Sequence, residues 1–354
     1  MYISSLLLHG FRSHIEADFE FSEGVNIVLG PNASGKTNLL EALLVLSRGA
    51  SYRAEFGSLI NYNSESAKIS AMVNNTERQI LIKQSDNSTT RELTIEGVKK
   101  SRWTQRETLP VVLFEPGHLD LINGRPSLRR AYLDELSDQV KPGYKSTRQR
   151  YQRVLAQRNR LLKTNHKDSE MFAWDVKLCE YAEQIVKQRI ELINKLNELL
   201  PKYYSEIAGD NKKAQVVYGT DIDTDNYLTA MLKKLHINKQ TDIQRGFTCV
   251  GPHRDDVVFI LNQKPAPESA SRGESRSLVL SAKLTESKIL ENIFSTPALF
   301  LLDDVFSELD TSRQKSLARI LNKTQTVLTT TNADTWVQFK NTHFETIRLG
   351  TSNL

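Results

Sequence analysis

A short apolar run, Val25 to Leu29, passes directly into GPNASGKT at Gly30 to Thr37, and TNLLEALLVLS then continues to Ser47 with apolar residues on most faces. Strand, glycine turn and buried helix in that order force an α/β core with the turn at the end of a strand. The octapeptide fits G-x-x-x-x-G-K-[ST] at every constrained position, and each residue type has a chemical reason. Gly30 and Gly35 free the backbone to turn its N–H groups toward a β-phosphate, Lys36 reaches the β- and γ-phosphates, and Thr37 offers a hydroxyl to Mg²⁺. The expected cradle is Gly30, Pro31, Asn32, Ala33, Ser34, Gly35, Lys36, Thr37 and Asn38.

Far along the chain, ALFLLDD from Ala298 to Asp304 reads as a buried strand ending in two carboxylates. Buried strands often end in Asp at a turn, so alone this pattern says little. With a phosphate loop upstream, Asp303 becomes the natural water-mediated magnesium partner of Thr37. Asp304 would then face the attacking water as polariser or general base, and a side chain shorter than Glu suggests slow turnover. A third piece, ESASRGESRS from Glu268 to Ser277, puts Ser271 and Gly273 where a helix begins. By itself it reads most simply as an N-capped helix after a loop, and alternatively as an anion site.

Between these pieces the pattern changes twice. AKISAMV, RQILIK and RELTI, between Ala67 and Ile95, read as an antiparallel meander, and PVVLF ends the first section. Residues 126–200 read as nearly all helical: one helix from about Lys145 to Leu162, a loop from Thr164 to Ser169, and a long helix with Leu178, Ile185, Leu192 and Leu199 seven apart. Ala182 and Leu196 fill the neighbouring face of that seam. Strands are expected again at Gln215 to Tyr218, Phe247 to Val250 and Val257 to Leu261. A helix from Ser275, the strand PALFLL, a helix from about Ser312, and the strands TVLTT and ETIRL follow. With only Cys179 and Cys249 there is no disulfide framework, and no apolar stretch approaches the roughly 18 residues of a membrane helix. A reducing, cytoplasmic location with no membrane partner is the expectation, and MYISSLLLHGFRSH does not read as a leader.

In the order P-loop, long insertion, S-x-G-E, apolar strand with DD, then SELD at Ser307 to Asp310, the chain resembles ABC-type ATPase heads of the SMC and repair class. More narrowly it resembles the RecF family, on FRSH at Phe11 to His14, GKTNLLEAL, SYR at Ser51 to Arg53, PGHLDLINGRPSLRRAYLD at Pro116 to Asp134, GPHRDD at Gly251 to Asp256, and LLDDVFSELDTSRQKSL. The resemblance implies an α/β fold: an ABC-type P-loop ATPase head with an antiparallel β subdomain and an inserted helical arm. It assigns residues 1–115 and 246–354 to the head and 116–245 to an arm bearing DNA-binding and dimer surfaces. It also implies two facing copies, each ATP lying between the P-loop of one and Ser271, Arg272 and Gly273 of the other, with Arg12, Glu274 and Asp310 added to the nucleotide set. The catalytic set is then Lys36, Asp303 and Asp304, with Thr37 and Asp303 at Mg²⁺. The implied activity is slow, DNA-stimulated ATP hydrolysis by a dimer at single-strand gaps or junctions, with RecR and RecO as partners and RecA loaded indirectly.

Some positions depart from the family pattern. Gly117 stands where an acid is usual, Arg125 where a small residue is usual, and Glu274 where Gln is common. No Gln ends the PVVLF strand, and Thr331-Asn332 follows TVLTT where a histidine could sense the γ-phosphate.

The formal charge is only +5, yet from Arg125 to Lys163 eleven Lys/Arg face three acids, so the rest of the chain is net acidic. A helical run of charge is commonly a solvated face. With the resemblance, Arg148, Arg150, Arg153, Arg158 and Arg160 become the candidate DNA contacts, acting through phosphates. Arg129 and Arg130 could instead form a buried pair with Asp134, and His253 of GPHRDD reads as structural. A GTPase would need N-K-x-D, and the sequences at Asn211, Asn238 and Asn322 all lack the Asp. A kinase would not need S-x-G-E or SELD, and a nucleotide-gated scaffold with incidental hydrolysis is the remaining alternative.

Overall fold

The computed structural model describes residues 2–49, 51, 55–85, 88–164, 168–332, 339 and 344–350. Tyr52 and Arg53 of SYR, residues 165–167 of the expected interhelical loop, and His343 lie outside the described residues. In chain order the elements are β1 (Ile3–Phe11), β2 (His14–Glu20), β3 (Val25–Leu29), α1 (Lys36–Arg48), β4 (Ser66–Val73), β5 (Thr76–Ser85), β6 (Ser88–Ile95), β7 (Val98–Lys100) and β8 (Val111–Phe114). Then come α2 (Pro126–Val140), α3 (Tyr144–Leu161), α4 (Asp168–Ala208), β9 (Ala214–Gly219), α5 (Tyr227–Ile237), α6 (Lys239–Arg245), β10 (Asp256–Leu261), β11 (Lys264–Pro265) and α7 (Ala266–Ser269). The chain closes with α8 (Arg272–Phe294), β12 (Leu299–Asp303), α9 (Thr311–Leu321), β13 (Thr326–Thr330) and β14 (Phe344–Arg348).

These elements form two compact units, Met1–Leu119 with Glu206–Gly209 and Leu280–Leu354, and Asp120–Ser205 with Asp210–Val279. The second unit thus takes in residues 246–279, which the sequence division assigns to the head. The reason is strand pairing: β10 runs antiparallel to β9, Val258 opposite Val217, and Arg129 of α2 grips Asp256 at the start of β10.

The first unit holds two sheets around α1. One is six-stranded and antiparallel in the order β2-β1-β4-β5-β6-β7, and the other is parallel in the order β14-β3-β13-β12-β8. Parallel strands covered on both faces read as unbroken apolar runs, and β12 and β13 are buried along their whole length. α1 supplies Leu39, Leu43 and Leu46 to one core with Leu6 and Ile69 of the antiparallel sheet and Val111, Leu301 and Val327 of the parallel one. β2 is not evident in the sequence because HIEADFE reads polar. It forms because His14, Ala17 and Phe19 face inward while Glu16, Asp18 and Glu20 face water.

In the second unit the long helix buries Leu178, Ala182, Ile185, Leu192 and Leu196. At the fourth repeat Leu200 is the fully buried residue and Leu199 is half-exposed. A straight α-helix drifts by about 20° per heptad, which moves the seam onto the next residue. Phe247 to Val250 does not form the expected strand. Its N–H groups go instead to side chains, Thr248 to Asn159 Oδ1 at 2.8 Å and Cys249 to Asp242 Oδ1 at 3.0 Å. α5 and α6 fill a stretch given no element from sequence, and Tyr227, Met231 and Leu235 seat α5 in the core.

Candidate active site and nucleic-acid interface

β3 delivers the glycine loop at the C-terminal edge of the parallel sheet, beside β13 and one strand from β12. In open α/β sheets this is where ligands bind. Gly35 caps α1 with φ 90° and no side-chain hydrogen bond, so no capping side chain covers the first-turn N–H groups. A Cβ on Gly35 would lie 2.7 Å from the His14 ring, and one on Gly30 would lie 2.6 Å from Ser34 Oγ, so both positions exclude a side chain. Ala33 also takes left-handed φ, 65°, which turns the loop between them. Buried Ser34 Oγ has no hydrogen-bond partner among the described residues.

The Lys36 ammonium folds onto the loop, donating to the carbonyls of Gly30 at 2.8 Å and Pro31 at 2.7 Å. Burial lowers its pKa, while the charges of Asp304 and Asp303 oppose that shift. Thr37 Oγ1 donates to Asp303, with its two carboxylate oxygens at 3.1 and 2.9 Å, and Thr329 Oγ1 of β13 donates to the same carboxylate at 2.8 Å. Asp303 is thus held between the loop helix and the neighbouring strand. The next carboxylate is treated differently. Asp304 has φ 50°, and its backbone N–H is fixed by Thr329 at 3.1 to 3.2 Å. Its Oδ1 is buried with no partner among the described residues, and burial raises its pKa. An unpaired buried carboxylate oxygen beside a lysine suits an acceptor for a water proton.

These residues fit a nucleoside triphosphate with magnesium. The glycine cradle leaves no room for side chains, the first turn of α1 presents N–H donors, and Thr37 with Asp303 offers an all-oxygen donor pair suited to Mg²⁺. Sequence reasoning missed Thr329 and His14. Thr329 carries a faint signal, a hydroxyl at the end of an apolar strand. His14 is 2% exposed and sits 3.2 Å from the Gly35 carbonyl, and burial lowers its pKa against that hydrogen bond.

Two predicted nucleotide residues of this unit bond elsewhere. Arg12 makes a two-point contact with the Glu41 carboxylate at 2.9 and 3.2 Å and donates to the Ser58 carbonyl, which braces the end of β1 against α1. Asp310 accepts from the Arg313 N–H at 3.0 Å, capping α9, and pairs with the Arg313 guanidinium. In place of a switch histidine, Thr330 accepts from the Asn332 N–H at 3.1 Å, and its carbonyl receives the Gly30 N–H at 3.4 Å.

Within the second unit, Ser271 and Glu274 form a capping box at the start of α8. The Ser271 N–H donates to the Glu274 carboxylate at 2.7 Å, and the Glu274 N–H donates to Ser271 Oγ at 3.3 Å. Bonding to Lys212, joined by these Ser271 contacts, holds the Glu274 carboxyl down at about 2. Ser271 and Arg272 remain exposed, with Gly273 half-buried beside them.

The basic run divides into a surface and a scaffold. Arg150, Arg153 and Arg160 of α3 are exposed, and spacings of three and seven put them on one helix face. Arg148 is half-buried and donates to Asp138 at 2.6 Å. Arg158 cannot contact DNA. It is 0% exposed, and its guanidinium donates to Asp175 at 2.6 Å, Asp242 at 2.7 Å and Thr248 at 2.8 Å. Asp134 pairs with Arg189 at 3.0 Å, while Arg129 donates to Asp256 at 2.8 and 2.9 Å. His253 bonds Tyr151 at 2.6 Å and the Thr248 carbonyl at 3.1 Å, and burial lowers it to about 4. Among the described residues no helix is long and apolar enough to cross a membrane.

Comparison with known proteins places these features in a family. The profile of the RecF/RecN/SMC N terminal domain matches residues 2–347. The DNA replication and repair protein RecF of Streptococcus suis is 36% identical over 342 residues, covering 94% of each chain. That of Microcystis aeruginosa is 34% identical over 369 residues, covering 96% of each. A solved structure of the recombination mediator protein RecF-ATP, in the RecFOR pathway, superposes with a TM-score of 0.81 at 29% identity, covering 94% of this chain and 93% of that one. The Smc head bound to the C-winged helix domain of ScpA shares the fold at 14% identity, with a TM-score of 0.53 over 96% of this chain and 92% of that one.

Proposed function

The chain belongs to the RecF family, and from that premise we propose that it is an ATP-dependent DNA-binding protein of recombinational repair and replication, acting in the cytoplasm. The observation that carries the nucleotide half is the shared carboxylate of Asp303, which ties Thr37 of the loop to Thr329 of the central strand. When bound, ATP with Mg²⁺ supplies the phosphoryl group whose hydrolysis ends the bound state. Backbone N–H groups of the loop beyond Pro31, through to Asn38, would wrap the phosphates, Lys36 would turn from the loop carbonyls to the phosphate oxygens, and Thr37 with Asp303 would hold the metal. Asp304, with one oxygen left unpaired, orients a water and takes its proton.

Two copies complete the site. The exposed Ser271 and Arg272 of one copy, at the N-terminal end of α8, meet the phosphates held by the other, with Gly273 allowing close approach. Arg12, braced against α1 by Glu41, and Asp310, at the cap of α9, complete the nucleotide set. Arg150, Arg153 and Arg160, helped by Arg148, bind DNA phosphates at a gap or junction, and the dimer cooperates with RecO and RecR in loading RecA. DNA stimulates the slow hydrolysis.

Mass measurement tests the dimer. With ATP and Mg²⁺ the wild type should double in mass, and Ser271→Arg should stay monomeric while still binding ATP. A Ser271→Arg protein that dimerises like the wild type removes this residue from the partner's site.

A further inference from the structure

The second unit contains a cavity of about 310 Å³ between α2, α3 and α4. Among its walls are Arg130, Asp134, Arg148, Tyr151, Leu155 and Arg189. Of the α3 residues given to DNA only Arg148 lines it, and the exposed Arg150, Arg153 and Arg160 do not.

Its guanidiniums are unequally paired. Asp134 is committed to Arg189, accepting from that guanidinium at 3.0 to 3.1 Å. Arg148 is anchored by Asp138 through Nη2 and lies 4.0 Å from Asp134 through Nη1, yet its Nε is buried without a partner among the described residues. Arg130 has no carboxylate partner among the described residues and makes one hydrogen bond, from Nη1 to the Asp255 carbonyl at 2.8 Å. Burial and the like charge of Arg189 act against its protonated form, while the charges of Asp256, Asp134 and Asp255 favour it. Two guanidiniums thus line one cavity with donors to spare, and an anion between them would engage those donors.

We propose that this cavity is a phosphate-monoester site, taking the terminal phosphate of a DNA strand or of a free nucleotide between Arg130 and Arg148. Planar guanidinium forks match the oxygens of a phosphate, and a monoester carries more charge than the diester of the DNA backbone. The volume is at the lower end of the roughly 300–1,000 Å³ of small-molecule sites, so a phosphate leaves space for its sugar beside Leu155 and Tyr151. The DNA-end form rests on the DNA-binding reading above, and the free-nucleotide form does not.

The test keeps the P-loop filled with saturating ATP and Mg²⁺ and titrates the full chain with thymidine 5′-monophosphate or thymidine, reading thermal shift and heat of binding. In parallel, recessed duplexes ending in a 5′-phosphate or a 5′-hydroxyl are titrated by anisotropy. The monophosphate should bind and thymidine should not. Arg130→Met should weaken that binding by about tenfold, the size expected when one charge-assisted hydrogen bond is removed. Gln152→Glu, at an exposed residue of the cavity mouth, should weaken it by repulsion without touching the Asp255 contact. Preference for the phosphorylated duplex would identify the DNA end as the source. Preference confined to the monophosphate would identify a free nucleotide. Monophosphate binding by a protein that ignores duplex DNA would sink the DNA-binding reading and leave the cavity site standing. A wild type that distinguishes phosphate from hydroxyl in neither ligand overturns the site, however well it binds duplex.

Discussion

In the first unit, polar atoms around the phosphate loop, Asp304 Oδ1 and Ser34 Oγ, are buried without partners among the described residues, while in the second the guanidiniums of Arg129, Arg158 and Arg189 are each held by a carboxylate, even though Arg158 Nη2 has no partner of its own there. The two patterns have opposite energetic meaning. An unpaired buried polar atom costs about 1–3 kcal/mol, and a fold retains it where a ligand or a reaction uses it. A buried charge closed on its partner roughly balances desolvation against attraction, and becomes costly only when one partner is removed. Burial alone therefore does not identify function; an unpartnered carboxylate oxygen beside the phosphate-loop lysine, as at Asp304, points to it. Residues 303 and 304 make the contrast at closest range, since the first carboxylate accepts from Thr37 and Thr329 while the second keeps an oxygen free.

The contrast between the units is tested hardest at Arg158. Arg158→Met should strand Asp242 and Asp175 and destabilise the second unit by about 3–5 kcal/mol, read as a fall in the denaturation midpoint. A stable Arg158→Met protein that binds DNA poorly would return this residue to the surface set. Replacing Arg150 and Arg153 by Ala should leave the midpoint unaltered and flatten the log–log salt dependence of duplex affinity by about 0.9 for each phosphate that is no longer neutralised. An unchanged slope means that DNA lies on another face. The pH dependence of the second unit should be smaller. His253, depressed from 6.5 to about 4 by burial, is neutral when folded, so the unfolded chain binds the extra proton between those values. Its contribution to stability is present above pH 6.5 and is lost as pH falls toward 4. His253→Gln should flatten that part of the melting curve, and an equally steep decline would assign it to other groups.

Local patterns that coincide with their function were legible in the sequence. GPNASGKT, the strand ending at Asp303 and the helical arm are short, contiguous and periodic, so composition and spacing place them. Signals that depend on distant partners were not. Nothing near Arg158 shows that Asp175 and Asp242 wait for it, so a buried arginine read as one more member of a basic run. FTCV has strand-like residues, but the side chains of Asn159 and Asp242 claim its N–H groups. Thr329 is one threonine among several until β13 pairs in parallel with β12 and brings it beside Asp303. The SRGE piece read both as a helix cap and as an anion site, and the cap is what the single chain displays.

The free oxygen of Asp304 is where the contrast between the units meets the chemistry, and Asp304→Asn is the decisive substitution. It keeps the shape of the side chain, removes its charge, and leaves Lys36, Thr37 and Asp303 in place. Single-turnover hydrolysis and dimer lifetime should be measured together on ATP and Mg²⁺. Nucleotide affinity should stay at the wild-type level, hydrolysis should slow by about 100-fold or more as for loss of a general base, and the dimer should live correspondingly longer. Unchanged hydrolysis, with a dimer that dissociates at the wild-type rate, would contradict the assignment of Asp304 as the base.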